Sequence, residues 1–528
     1  MQGLLRACCT GKEKDNAEGQ STRRKTAVER IGSGSLNGGL DVLLRRRGTA
    51  FGERERCEKQ IANFLAGPRI TWHHSALLGV TRKQDGGMKL NGFLLKSTIV
   101  AALGGLLFGF DTAVIAGAID ALKTLYHLSN WGQGETVVAA LAGTVIGAMA
   151  GGIPGDKWGR RDSLRLMAVL YLVSSVGCAF AWNWPALLVF RFIGGLGIGG
   201  SSVLGPMYIA EIAPAKWRGR LVGLFQFNVV FGILLAYFSN YVVGTFQLGD
   251  AEWRWKLGVP AIPAVLFLLM LFGIPRSPRW LVKKERIPEA REVLRLTGVD
   301  DYEAELQDIV VSIDAEHQTN DALFVHKYRL PIFLAVSIGL FNQLSGINAI
   351  LYYLNSIFAD AGFNKVSGDL QTVAIGATNL LFTVIAMSVI DRIGRKTLLL
   401  VGSVGTAACL AGVAAIFFLH SHREFLVWLL VGYIAFFAFS QGAVIWVYIS
   451  EVFPNRVRAK GQSLGSFSHW IMNAAVSLIF KAMAEKSGGY PFVFFSLMMV
   501  VQFFVVLFVY PETKGFTLEQ MQKKLGIA

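Results

Sequence analysis

Charge is what this chain most lacks. Asp, Glu, Lys and Arg make up 16% of its 528 residues, while apolar types make up 53%. Soluble domains carry about 25% charged and about 45–50% apolar residues, so an ordinary water-soluble globule is excluded. Cysteine is scarce as well. Cys8, Cys9, Cys57, Cys178 and Cys409 form neither a disulfide framework nor a metal-ligand spacing. Cys178 and Cys409 fall in apolar stretches and read as small core residues. LLRAC at 4–8 is a poor lipoprotein cleavage site, because no apolar stretch precedes it and Arg6 is wrong for the site. There is no Walker lysine motif, so ATP drive is unsupported. Gly194, Gly195, Gly197 and Gly199 superficially suggest a nucleotide loop, yet no strand precedes them and they read as helix-packing glycines. No nucleophile–base or zinc-ligand constellation is present. An enzyme, a cofactor and a metal are therefore not expected.

What the chain has instead is aromatic and small residues, 37 Phe, 12 Trp and 58 Gly, in long apolar runs. A spanning helix needs about 20 mostly apolar residues. Twelve runs qualify, near 97–119, 136–154, 163–181, 185–209, 221–243, 257–274, 330–358, 371–390, 397–419, 426–450, 461–482 and 491–510. The expected fold is thus an all-α membrane protein with twelve transmembrane helices.

The formal charge of +15 is explained by topology. Basic residues cluster in alternate connections: Lys157, Arg160, Arg161 and Arg165; Lys216, Arg218 and Arg220; Arg392, Arg395 and Lys396; Arg456, Arg458 and Lys460. This is the positive-inside pattern, and it places both termini of a multi-pass protein in the cytoplasm. Nucleic acid is not an expected partner; the lipid bilayer is. Residues 1–87 are polar, Arg-rich and without apolar periodicity. Residues 1–90 read as a disordered cytoplasmic tail or as an over-extended start, with translation beginning at Met88.

Two signatures recur. Asp156 to Arg160 in GDKWGRR and Asp391 to Arg395 in DRIGRK lie 235 residues apart; Glu211 in YIAEIAP and Glu451 in YISEVFP lie 240 apart. Two motifs at nearly one offset imply a duplicated six-helix unit, with halves at 91–274 and 329–510. Residues 275–328 read as a cytoplasmic linker domain with helix-like segments such as 288–296, and 511–528 as a cytoplasmic tail. Duplicated bundles of this kind build many secondary transporters, with substrate between the halves at mid-bilayer.

One acid stands inside the first run. Asp111, in LGGLLFGFDTAVIAGAI, costs roughly 3 kcal/mol at the bilayer centre on insertion scales and needs a partner, a wet cavity or a proton. Arg191, near the start of the fourth span, is its natural partner. The guanidinium favours the carboxylate and burial favours the acid, so separating the two would favour proton uptake.

FGFDTAVIAG (108–117), GDKWGRR, RFIGGLGIG (191–199), PMYIAEIAP (206–214), SPRWL (277–281), QLSGINAILYY (343–353), DRIGRK, SEVFPNRVRAKG (450–461) and PETKG (511–515) occur in order on the right spans. With them the chain, over about residues 90–520, resembles the sugar porter family of the major facilitator superfamily. The resemblance implies a functional monomer that carries a monosaccharide by alternating access. It makes Asp111 and Arg191 the proton-coupling pair of a symporter, since facilitators usually have a neutral residue at the Asp position. A static structural ion pair is the alternative. The resemblance also assigns sugar contacts to Gln226, Gln343, Asn348 and Asn379, to the aromatic positions Phe108, Trp446 and Trp470, and to the apolar lining residue Ile233. Amides supply both donors and acceptors to hydroxyls, although each alone could be helix–helix glue. Asn342 stands where members often have a first glutamine, and His469 where they have Gln or Asn; both remain sugar-site candidates. Arg276 replaces the usual glutamate before Ser277-Pro278-Arg279. Asp156, Arg160, Arg161, Glu211, Arg218, Arg279, Asp391, Arg395, Glu451, Arg458 and Glu512 correspond to an inner gate that ties the halves together when the carrier opens outward. Loss of the glutamate at 276 leaves this gate weaker or differently paired. The competing functions are a sugar uniporter and a non-transporting sugar receptor.

Overall fold

The structure, a computed structural model, describes residues 91–527 apart from 215–216, 300, 318–321, 455–456 and 517. The N-terminal segment 1–90 lies outside the described residues. All regular structure among the described residues is helical. The bundle helices are α1 Gly92–Gly117, α2 Asn130–Ala150, α3 Arg160–Ala179, α4 Trp184–Ile212, α5 Arg218–Thr245, α6 Gly249–Gly273, α7 His326–Tyr352, α8 Ser367–Ile393, α9 Arg395–Leu419 and α10 Arg423–Val452. They continue with α11 Arg458–Met483 and α12 Gly489–Phe508. Eleven are long and apolar enough to cross a bilayer. The other, α11, has 26 residues but is less apolar, because Ser466, Ser468, His469, Asn473 and Ser477 punctuate it. Several helices start on a side-chain cap. Asn91, Ser129, Asn183 and Asn364 each accept from a backbone N–H of the first turn, which satisfies a donor the helix itself cannot pair.

Three features of the helices go beyond the apolar runs. The seventh run does not continue unbroken through 358: the helix stops at Leu344 and resumes at Ile347. Gly346 has φ +85°, and a Cβ there would strike the Phe495 ring. The tenth span contains a π-helical turn at Ala438–Gly442. The sixth and eighth helices begin before the apolar runs that predict them, so Glu252, Lys256 and Asp369 lie inside the bundle.

The duplicated motif repeats as conformation. Gly159 and Gly394 have φ +92° and +103° and join the Asp-bearing helix end to the Arg-bearing helix start. A side chain is strained there. The glycine run of α4 packs against α2: a Cβ on Gly195 or Gly199 would fall on the backbone carbonyls of Ala140 or Thr144.

Between the halves, helices Pro278–Lys283, Ile287–Leu296 and Tyr302–His317 enclose a small core of Trp280, Leu281, Val282, Ala290, Val293, Leu294 and Leu306. The segment expected to be helical at 288–296 is so. After α12, helix Leu518–Lys524 anchors Met521, Leu525 and Ile527 in the core that holds Tyr328 and Tyr448. The halves meet along α5 with α8 and α2 with α11. At the end of the bundle away from the linker, Ser356 donates to Asp120 at 2.6 Å and the Tyr237 hydroxyl to the Leu351 carbonyl at 2.9 Å. Both bonds cross from one half to the other.

Candidate functional site

Asp111 and Arg191 meet. Arg191 Nη1 lies 3.4 Å from Asp111 Oδ2, and both residues are buried, at 3% and 8% exposure. Arg191 Nε is buried and has no hydrogen-bond partner. Beside the pair is a cavity of about 10 Å³, about the room one water needs. Asp111, Thr112, Thr144 and Arg191 line it from the N-terminal half, and Tyr352 and Trp470 from the C-terminal half. The pair therefore opens on the surface where the halves meet.

Four sugar-site candidates of the C-terminal half, Asn342, Gln343, Asn348 and His469, form one connected set. Gln343 Nε2 donates to Asn342 Oδ1 at 3.1 Å and lies 3.1 Å from the nearer ring nitrogen of His469. Asn348 Nδ2 donates to Gln343 Oε1 at 3.1 Å. The His469 ring is held between indoles, 5.2 Å from Trp446 and 5.1 Å from Trp470 by centroid. Phe108 on α1 lies 5.5 Å from Trp470 on α11, which brings an N-half aromatic to the same place. The break at Gly346 separates Gln343 from Asn348 along α7 and lets both amides face one another.

Asn342 turns its amide elsewhere, toward the Gln441 carbonyl in the π-helical turn, at 3.5 Å. Gln226, Ile233 and Asn379 lie on α5 and α8, the helices that meet between the halves. Ile233 and Asn379 are buried and Gln226 is half-buried. None of the three joins the hydrogen-bonded set among the described residues. The sequence reading missed Gln441, buried with Oε1 unpaired, and Tyr352, whose hydroxyl accepts from Asn473 at 3.2 Å. A buried amide in the apolar tenth span was the available signal for Gln441.

At the linker end, each half builds the same device. Arg160 bridges Asp156 at 2.9 Å and Glu211 at 3.0 Å, and Glu211 accepts from Ser277. Arg395 bridges Asp391 at 2.9 Å and Glu451 at 2.8 Å, and Glu451 accepts from Thr513 at 2.6 Å. These ties run within a half. Arg161 pairs with Asp162 at 3.1 Å, Arg218 lies 3.8 Å from Glu305, and Arg458 Nε reaches the Phe453 carbonyl at 3.4 Å. Arg279 lies on the linker helix Pro278–Lys283. Arg276 is differently paired from a gate glutamate: it meets Asp162 at 3.0 Å and sits over the Trp280 ring. Burial works against the Glu512 carboxylate. The backbone N–H groups of Lys514, Arg395, Lys396 and Thr513 donate to it and hold its pKa below the usual glutamate value.

Comparison with known proteins gives a consistent picture. A family described as "Sugar (and other) transporter" matches residues 97–525. The chain is 35% identical over 472 residues to the D-xylose-proton symporter of Escherichia coli (strain K12), covering 82% of this chain and 96% of that one. It is 37% identical over 441 residues to the arabinose-proton symporter of Bacillus subtilis (strain 168), covering 82% and 95%. Among solved structures, the inward open conformation of the xylose transporter XylE from E. coli superposes with a TM-score of 0.74 at 35% identity, over 82% of this chain and 100% of that one.

Proposed function

Because the chain belongs to the sugar transporter family, we propose that it imports a monosaccharide together with a proton by alternating access. It is a multi-pass membrane transporter and not an enzyme. The reading places it in the plasma or inner membrane as a functional monomer, with the linker, the C-terminal segment and both termini on the cytoplasmic side. The relatives named for xylose and arabinose make pentoses the first substrates to test.

One observation carries the coupling: the Asp111–Arg191 pair and the Tyr352–Trp470 side of the sugar site line one cavity. A proton taken by Asp111 removes the attraction to Arg191. A sugar beside Trp470 would replace the bonds that Gln343 makes with Asn342, Asn348 and His469. Both events act on the surface along which the halves move. Asp111 protonates where it opens to the outside, and a return of Arg191 toward it on the inner side drives the proton off. Asn342, Gln343, Asn348, His469, Gln226 and Asn379 serve the hydroxyls; Phe108, Trp446, Trp470 and Ile233 cover the ring carbons. The duplicated Asp–Arg–Glu ties at the linker end act as an inner gate, exchanged for ties between the halves when the carrier faces outward. Arg160 and Arg395 are buried in these ties, so each arginine must exchange one acid partner for another rather than lose it.

The test is uptake of radiolabelled xylose and glucose into liposomes with and without an inward proton gradient. Gradient-driven accumulation is expected, and Asp111→Asn should keep sugar exchange while losing accumulation. Equilibration without accumulation in the wild type would mean a uniporter. Specific binding with no flux would mean a receptor.

A further inference from the structure

A second buried ionic group lies at the end of the bundle opposite the linker, outside the sugar and proton sites. Lys256 on α6 is only 1% exposed. Its Nζ is 2.7 Å from Glu252 Oε1, donates to the Gly117 carbonyl at 3.1 Å, and lies 3.8 Å from Asp369 Oδ2. Glu252, Lys256 and Gly117 belong to the N-terminal half, and Asp369, on α8, to the C-terminal half. Asp369 also accepts from Asn355 of the helix Leu354–Asp360, in its own half. Gly244 at the end of α5 makes room for the meeting: a Cβ there would come within 3.0 Å of Asp369 Oδ2.

Buried charges demand partners, and this arrangement provides them twice. When the halves part at this end, Lys256 keeps Glu252 and the Gly117 carbonyl, and Asp369 keeps Asn355. The contact between Lys256 and Asp369 breaks, and each charge keeps a partner in its own half. A purely structural pair needs no such duplicate partners; a contact made and broken in every cycle does. The two neighbouring cross-half bonds, Ser356 to Asp120 and Tyr237 to Leu351, close the same end.

We propose that Lys256, Glu252 and Asp369 form an outer lock, an ion pair across the halves that holds the external mouth shut while the carrier faces inward. They are positioning residues for transport: they touch neither sugar nor the coupling proton, and they set the ratio of inward- to outward-facing carrier. The proposal rests on the alternating-access reading above.

The test uses the full chain with its native cysteines replaced by serine, reconstituted, and spin-labelled at Asp250→Cys and His422→Cys. Both are exposed positions at the lock end, one in each half. Pulsed electron resonance then reads the distance between the halves without requiring transport. Asp369→Asn should move the sugar-free distribution toward the longer, outward-open distance and change the ratio of states by at least about fivefold. Gly244→Ala keeps every charge and only crowds Asp369, so it is the variant that folds most safely; it should shift the distribution the same way by less. In the same liposomes, half-saturation for external xylose should fall in both variants. If both variants fold and leave the distance distribution as in the wild type, the lock is overturned. An unmoved Gly244→Ala alone, should Asp369→Asn fail to fold, overturns it as well. A wild type that shows the distances but carries no sugar would sink the transport reading and leave the lock standing.

Discussion

His469 shows what a single side chain decides at this site. It sits between Trp446 and Trp470 with Gln343 within hydrogen-bond distance, where an amide would serve as donor or acceptor equally well. His469→Gln should therefore preserve transport. His469→Ala removes the ring nitrogen that serves a sugar hydroxyl in the proposed bound state and should raise the half-saturation for sugar about fivefold, the effect of losing one hydrogen bond of about 1 kcal/mol; uptake titrations of the two variants check this. Glu512 makes a different prediction. Its folded pKa is depressed, because backbone donors at the start of α9 favour the carboxylate. Its stabilising effect is full above the ordinary glutamate value of about 4.3 and is lost as pH falls through the lower folded value. Glu512→Gln should lower the melting temperature at neutral pH, and the gap to wild type should close below about pH 4. Thermal unfolding in detergent across that range checks it. Asp111 and Arg191 were legible in the sequence because each is a lone charge well inside an apolar run. Lys256 and Asp369 obey the same logic and escape it, because the apolar runs begin at 257 and 371 and both charges fall just outside them. Ion pairing extends a buried helix past the end of its hydropathy signal.

Among the elements, length and position were legible and internal geometry was not. Apolar runs mark twelve helices, but hydropathy does not register a break that keeps composition constant. The stop at Leu344 and restart at Ile347 follows from one left-handed glycine packed on Phe495. The π turn at Ala438–Gly442 is marked only by the short polar stretch Ser440, Gln441 and Gly442, which does not specify its geometry. Irregular turns of this kind recur at functional sites, and here they flank Gln343, Asn348 and Trp446. Gly346→Ala imposes a left-handed penalty of about 1–2 kcal/mol and drives a methyl into the Phe495 ring. It should cut transport and folded yield together, and fluorescence size-exclusion profiles with uptake assays would show both losses. The helix α11 marks the opposite case. Its polar residues weaken its membrane signal, and two of them, His469 and Asn473, bond Gln343 and Tyr352.

At the scale of the whole molecule, the duplication was the clearest message in the sequence. It reappears as two copies of one linker-end device: Asp156, Arg160, Glu211 and Ser277 against Asp391, Arg395, Glu451 and Thr513. The hydroxyls of Ser277 and Thr513 could be assigned only from coordinates, because each lies beyond the last span of its half and touches the glutamate through folding. What the sequence could not convey was which contacts cross between halves, since a helix carries no label for its neighbour. The glycine seam between α4 and α2 has a mechanical consequence. Backbone rests on backbone at Gly195 and Gly199, so these helices cannot slide without colliding main chains. The N-terminal half is stiff along that seam, and little of the free energy of sugar binding is absorbed in bending it. What a seam of this kind does not absorb is left to the rocking of one half against the other.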